Sequence, residues 1–283
     1  MSKEIKVGVI GCGAIGRQHI ARLMNTIPET RVVAVADYYQ PSAQAVAEQY
    51  GITCCATGEE LIARPEVEAV LVTSADPSHA GYVLECIKAG KFVFCEKPLA
   101  QTAQECEEII RAEVAGGRRL VQVGFMRRYD HSYQVAKKKM ENGDIGDVIL
   151  VRCYSQDPIS IIEGTLEYAP RSGGQFIDMS IHDFDLIRWL TGSEVKELWA
   201  TGGCYEFKQY KDWDDGDNVS GLMKMENDAM AFFFAGRAAA HGSHVETEIV
   251  GTRSTLRIAS VPTDSPVEVM SRYGICRVCY TAF

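Results

Sequence analysis

Residues 7–16 read Val-Gly-Val-Ile-Gly-Cys-Gly-Ala-Ile-Gly, a short apolar run that breaks into a G-x-G-x-x-G turn. A strand buried on both faces that enters a glycine turn and then a helix fits few folds. Gly11 permits the tight turn, Gly13 lets backbone approach a pyrophosphate, and Gly16 lets helix pack closely on strand. Ala14 and Ile15 open the helix, whose N-terminus faces phosphate charge. The glycines alone are a weak signal; the strand before them and the helix after them make it specific.

Asp37 ends the next apolar run, 21 positions beyond Gly16. A carboxylate there accepts hydrogen bonds from adenosine ribose hydroxyls and repels a 2′-phosphate. Tyr38 and Tyr39 follow it rather than arginines, which favours NAD over NADP. The bland alternative is a solvated loop aspartate.

The first half continues as it begins. Apolar runs at 31–36, 69–72, 92–95 and 120–123 alternate with helical patterns at 15–24, 42–50, 79–89 and 103–115. Repeated β-α-β units of this kind predict a doubly wound parallel sheet over residues 1–124. After Gly124 the pattern changes. A helix is expected at 132–142 and a strand at 148–155. A loop with Pro158, Pro170 and Gly173-Gly174 leads into a long amphipathic helix at 175–190. Strand signals follow at 198–205, 219–225, 230–235, 245–250 and 255–258. Several of these alternate polar and apolar residues, so residues 125–283 should form an α+β domain on a mostly antiparallel open sheet. The fold class is therefore α/β: a Rossmann-type domain followed by an α+β domain.

A net charge of −9 with no dominant basic block argues against nucleic acid and anionic membranes as partners. No apolar run is long enough to cross a bilayer. The N-terminus runs straight into the first strand, leaving no room for a leader, so a cytoplasmic protein is expected. There are ten cysteines. Cys86, Cys95 and Cys153 read as small buried hydrophobes. Cys276 and Cys279 form one CxxC without a second pair to complete a zinc site, and no metal is expected.

Two clusters carry chemistry. Cys95-Glu96-Lys97-Pro98 lies at the carboxyl end of the fourth main strand, where ligands bind in open parallel sheets. Lys97 there could hold or polarise a substrate hydroxyl; its bland reading is a turn lysine on the surface. The second cluster runs from Asp178 to Asp185. On one continuous helix Asp178, His182 and Asp185 would share a face, above a buried stripe of Ile177, Ile181, Phe184, Ile187 and Leu190. A carboxylate beside an imidazole fixes its tautomer and raises its basicity, which makes His182 a general base for alcohol oxidation. An ion pair on the helix surface, a capped histidine and a metal site of Asp178, His182 and Asp185 are the alternatives.

Together these residues resemble the glucose-fructose oxidoreductase / inositol dehydrogenase (Gfo/Idh/MocA) family, from Lys6 to the end of the chain. The family's glycine motif corresponds to Gly11–Gly16, its Glu-Lys-Pro to Glu96-Lys97-Pro98 and its DxxxH to Asp178 and His182. The resemblance implies a catalytic set of Lys97, Asp178 and His182. In it His182 is the base, Asp178 supports it and Lys97 orients the hydroxyl. It also implies that Thr73, Pro77, His79, Glu96 and Lys97 line the cofactor. Residues 124–130 are similar to the substrate-side loop of the inositol-oxidising branch, which implies Arg127 at the ring. Residues 155–158 resemble that branch's Ser-Arg-Asp-Pro, with Gln156 in place of arginine, which implies Asp157 at the substrate. Residues 245–252 match it as well, whereas Ser243 stands where many relatives carry a tyrosine. The implied reaction is oxidation of myo-inositol by NAD to the 2-keto ring, scyllo-inosose, in a homo-oligomer, with a tetramer favoured. The chain ends short of the strand and helix that usually close the family's fold, and a truncated C-terminus is expected. Competing readings are an NAD(P)-dependent sugar dehydrogenase on the same scaffold and a non-catalytic NAD-binding sensor.

Overall fold

The computed structural model describes residues 4–239, 242–259, 267–271 and 274–276. His241 and the Cys276/Cys279 motif as a pair lie outside the described residues. The chain divides into two compact units, Met1–Gly124 and Phe125–Phe283.

In the first unit the elements run β1 (Ile5–Ile10), α1 (Ala14–Asn25), β2 (Thr30–Ala36), α2 (Gln40–Tyr50), β3 (Thr53–Cys54) and α3 (Gly58–Ala63). They continue with β4 (Ala69–Val72), α4 (His79–Lys88), β5 (Phe92–Glu96), α5 (Ala103–Ala115) and β6 (Val121–Gly124). The six strands form one sheet in the order β3-β2-β1-β4-β5-β6, every pair parallel. Apolar residues cover both faces. Ile10, Val70, Val72, Val93 and Cys95 pack against Leu61, Val83, Cys86 and Ile109 on one side. Val7, Val9, Val32, Val35 and Leu71 pack against Ile20, Ala43 and Val46 on the other. Each such large aliphatic side chain contributes roughly 1.5–3 kcal/mol on burial. β3 and α3 were too short for periodicity to reveal.

The second unit contains α6 (His131–Glu141), β7 (Val148–Pro158), α7 (Ile162–Tyr168), α8 (Gln175–Asp178), α9 (Ile181–Thr191) and β8 (Val195–Gly203). After these come β9 (Asn218–Met225), β10 (Met230–Ala239), β11 (His244–Gly251), β12 (Ser254–Ala259), β13 (Val267–Ser271) and β14 (Gly274–Cys276). The strands form one sheet ordered β14-β13-β12-β11-β7-β10-β9-β8. Described neighbours pair antiparallel except β7 with β10, which run parallel. Its core joins Val151, Cys153, Phe233 and Ile249 of the sheet to Tyr133, Leu186, Ile187 and Leu190 of the helices.

Two expectations are corrected here. The segment after β7, expected as loop, contains α7. The long helix expected at 175–190 is two helices. The amides of both Met179 and Ser180 donate to the Gln175 carbonyl at 3.1 Å, and those of Asp183 and Phe184 then both donate to Ser180 at 2.9 Å. The Ser180 bond spans five residues, a widened π-type turn of the kind that interrupts helices at functional sites. Asp178 closes α8 and His182 begins α9, so the argument from regular i,i+4 spacing does not hold across this junction.

Candidate functional site

The glycine turn is built as a ligand cradle. Gly11 has φ +104°, and a side chain there would strike the backbone of Thr73. Gly16 sits so close to the Gly11 carbonyl that a Cβ would collide with it, whereas a Cβ on Gly13 would meet nothing within 4 Å. Gly11 and Gly16 are thus constrained by the protein's own packing, while Gly13 borders open space. Gly13 is also the N-cap of α1; no side chain caps that helix and no acidic residue occupies its first turn. The amides of Ala14 and Ile15 therefore begin a helix whose end is left for an anion. By contrast, α5 closes its own end with a Thr102/Glu105 capping box.

Asp37 lies just beyond β2. One carboxylate oxygen accepts the Cys12 amide and the other the Tyr39 amide. This fixes the carboxylate beside the glycine turn, with lone pairs left on each oxygen for ribose hydroxyls. Thr73 supports the turn from below: its hydroxyl donates to the Gly11 carbonyl at 2.8 Å and its amide to Ile10 at 2.8 Å. Pro77 is exposed in a short 3-10 turn at Asp76–Ser78. His79 is buried, with its ring nitrogens 2.7 Å from the Pro98 carbonyl and 3.0 Å from the Ser74 carbonyl. It pins the segment after β4 to the turn that holds Lys97, which makes it a support for that turn.

Glu96 and Lys97 are half-buried at the carboxyl end of β5. Glu96 Oε1 lies 2.8 Å from His19 Nε2, and Oε2 accepts the Lys97 amide at 3.3 Å. His19, on α1 and edge-on to Phe94, was missed in the sequence. Its signal was its place one turn beyond Gly16.

In the second unit the acidic segment is committed to arginines. Asp178, buried, accepts Arg237 Nη2 at 2.6 Å and the Tyr168 hydroxyl at 3.2 Å. Arg237 Nη1 lies 3.6 Å from Asp157. His182 meets Phe125 edge-on, with centroids 6.5 Å apart. Asp183 is fully buried and accepts Arg127 Nη1 at 2.6 Å and the Ser155 hydroxyl at 2.7 Å. Arg127 also donates to Ser155, so this guanidinium, expected at the substrate ring, spends two nitrogens inside the unit. Desolvation opposes its charge, but Asp183, joined by Tyr133 and Cys153, outweighs it and holds the Arg127 pKa above its ordinary value. Asp185 takes Arg128 at two positions, 2.8 Å each. Among the described residues no group of three His, Cys, Asp or Glu gathers as for a metal ion. Sequence reasoning missed Arg237 and Asp183. A lone arginine within the apolar alternation of β10, and an aspartate in register with Ile187 and Leu190, were the available signals.

The family model "Oxidoreductase family, NAD-binding Rossmann fold" matches residues 5–125, and "GFO/IDH/MocA C-terminal domain" matches residues 133–257. The chain belongs to the Gfo/Idh/MocA family. Its first unit is that family's NAD-binding Rossmann domain, and the open, uncapped cradle at Gly13 fits the dinucleotide. Among curated relatives of this family, an inositol 2-dehydrogenase of Acidothermus cellulolyticus is 39% identical over 91% of the chain and 74% of the relative. One from Burkholderia lata is 44% identical over 67% of the chain. The chain spans about half the length of the Burkholderia relative, 55%. Among solved structures, scyllo-inositol dehydrogenase of Lactobacillus casei with bound NAD(H) and scyllo-inositol has a TM-score of 0.87 at 35% identity, covering 97% of this chain and 82% of that one. Myo-inositol 2-dehydrogenase of Lactobacillus plantarum has a TM-score of 0.88 at 33% identity, covering 99% and 84%.

Proposed function

We propose that this chain is an NAD-dependent dehydrogenase that oxidises a secondary alcohol of an inositol, with myo-inositol to scyllo-inosose as the leading reaction. The observation that carries this reading is the Asp178/His182 segment at the α8–α9 junction, in a chain whose first unit presents an open dinucleotide cradle. The relatives named as inositol dehydrogenases supply the substrate class.

When bound, NAD supplies the hydride acceptor. Gly13 and the N-terminus of α1 hold the pyrophosphate, and Asp37 selects the unphosphorylated ribose. His182 takes the hydroxyl proton, Asp178 fixes the tautomer of the imidazole and raises its basicity, and Lys97 orients the hydroxyl. Asp157 fixes a neighbouring ring hydroxyl. A positioned base of this kind contributes about 10²–10⁴-fold to rate.

We place the enzyme in the cytoplasm. Eight described cysteines are free, and no described helix is long and apolar enough to cross a membrane. We further propose a homo-oligomer joined through the outer face of the second sheet. Trp199 and Leu222 pair across β8 and β9 there and are 63% and 55% exposed, with Met230 at 48%.

The test is NADH formation with myo-, scyllo- and chiro-inositol, glucose and xylose, by the wild type and His182→Ala. Turnover on an inositol that the substitution reduces at least about 100-fold, with NAD affinity kept, is expected. Turnover on sugars alone, or none with NAD still bound, would sink the inositol reading.

A further inference from the structure

The guanidinium of Arg237 sits between two carboxylates. It reaches Asp178 through Nη2 at 2.6 Å and Asp157 through Nη1 at 3.6 Å. Its side chain is only 4% exposed and that of Asp178 9%, while Asp157 is 33% exposed. Other titratable groups face this network. The Tyr168 hydroxyl reaches Asp178 from α7. The fully buried Tyr210 feels Arg237 most strongly, then Asp215, Asp217 and Asp178. Arg237 is anchored through its own backbone as well, its amide donating to the Asp217 carbonyl at 2.9 Å.

A guanidinium placed between two carboxylates offsets the repulsion that each exerts on the other's charge. A guanidinium remains charged at every accessible pH and offers its donors in a rigid plane. A lysine supplies the charge but no fork. Burial disfavours the charge of Arg237, but attraction from Asp178, with Tyr210 and Asp157, outweighs that and raises its pKa.

We propose that Arg237 is a positioning residue for alcohol oxidation. It sets the Asp178 carboxylate relative to Asp157, so that the carboxylate supporting the base and the one holding the ring are aligned by a single side chain. This rests on the inositol dehydrogenase reading above. Its chemistry is that of a clamp; Arg237 exchanges no proton with substrate.

Arg237→Lys, Arg237→Gln and Asp157→Asn are compared with wild type in kcat, KM, NAD affinity, Tm and the pH profile of kcat/KM for the best inositol. Arg237→Gln removes a cation beside the base and its carboxylate, so the acid limb moves to higher pH by about one unit. Asp157→Asn removes an anion and moves that limb to lower pH. Arg237→Lys keeps the limb near its wild-type position and lowers kcat at least about tenfold, since misplacement of about 1 Å costs up to 10²-fold. NAD affinity is unchanged in all three. A residue that only stabilised the fold would lower Tm and leave the pH profile of the active fraction where it was; that outcome overturns the assignment. If Arg237→Gln does not fold, Arg237→Lys decides it, and a wild-type kcat there overturns the assignment. Wild-type enzyme inactive on every polyol sinks the functional reading, and this assignment with it. Active wild type with unaltered variants sinks the assignment alone.

Discussion

Arg127 Nη1 donates to Asp183 Oδ1 at 2.6 Å, with the arginine side chain 8% exposed and the aspartate not at all. The Ser155 hydroxyl donates to the same oxygen. The pair joins the 3-10 turn at Met126–Tyr129 to α9 and to β7. Removing one partner leaves an uncompensated buried charge. Asp183→Asn should therefore cost about 3–5 kcal/mol. Urea denaturation checks this. A loss below about 0.5 kcal/mol, the range of an ordinary surface change, would mean that water reaches Arg127.

The three glycines of the turn should separate in experiment. Gly16→Ala places a methyl against the Gly11 carbonyl and Thr73 Oγ1 and should lower both Tm and NAD affinity. Gly13→Ala meets no protein atom within 4 Å, so it should fold with a near-normal Tm and still bind NAD at least about tenfold more weakly, a loss of about 1.4 kcal/mol. Calorimetric titration with NAD, beside a melting curve, separates them. Normal NAD affinity in Gly13→Ala would show that the pyrophosphate lies elsewhere.

Asp37→Ala should raise the ratio of NADP to NAD use at least about tenfold, because the repulsion of a 2′-phosphate goes with the carboxylate. The same change frees the Cys12 and Tyr39 amides, so a modest fall in NAD use accompanies it. An unchanged cofactor ratio in steady-state kinetics would remove Asp37 from the ribose site.

Stability should fall in acid through two carboxylates of the second unit. Burial opposes ionisation of Asp217, but the amides of Tyr205, Phe207 and Glu206 and the Asn218 side chain outweigh it and hold its pKa below the usual value. Glu246 is likewise desolvated, yet Arg257 and Arg152 bring it below its usual value. Both bind a proton less tightly folded than unfolded. Their contribution is present above the unfolded values near pH 4 and is lost as pH falls through the lower folded values. Urea midpoints measured from pH 6 to pH 3 should decline below about pH 4, less steeply in Asp217→Asn. Parallel curves for variant and wild type would exclude Asp217 as a source.

The parts legible in the sequence were those whose physics is local. The glycine turn, Asp37 and the parallel strands follow from residues close together along the chain, and both units carry the layers that periodicity implied. Arg237 was not legible because its meaning comes from Asp178 and Asp157, 59 and 80 positions away. His19 acquires its partner Glu96 across 77 positions. The helix break at Met179–Ser180 was hidden for another reason. Met, Ser, Ile and His all tolerate helical backbone, so nothing in residues 175–190 signals a shift from four-residue to five-residue hydrogen bonding. Arg127 shows the limit of resemblance: its position was recognised, but its partners Asp183 and Ser155 were not.

The parallel pairing of β7 with β10 makes the spacing of Asp157 and Arg237 a question of register. Gly236 lies opposite Gln156 and Ala239 opposite Pro158, with a shift between them. A single residue inserted near the middle of either strand would slide one charge along the other by about one strand step of 3.3 Å and turn it to the opposite face. Length changes in the turn at Glu226–Asp228 leave that alignment alone. For anyone grafting or shuffling this scaffold, β7 and β10 are thus one transferable cassette, to be moved together, and the β9–β10 turn, tied through Asn227 to Thr191 and Ser193, travels with α9.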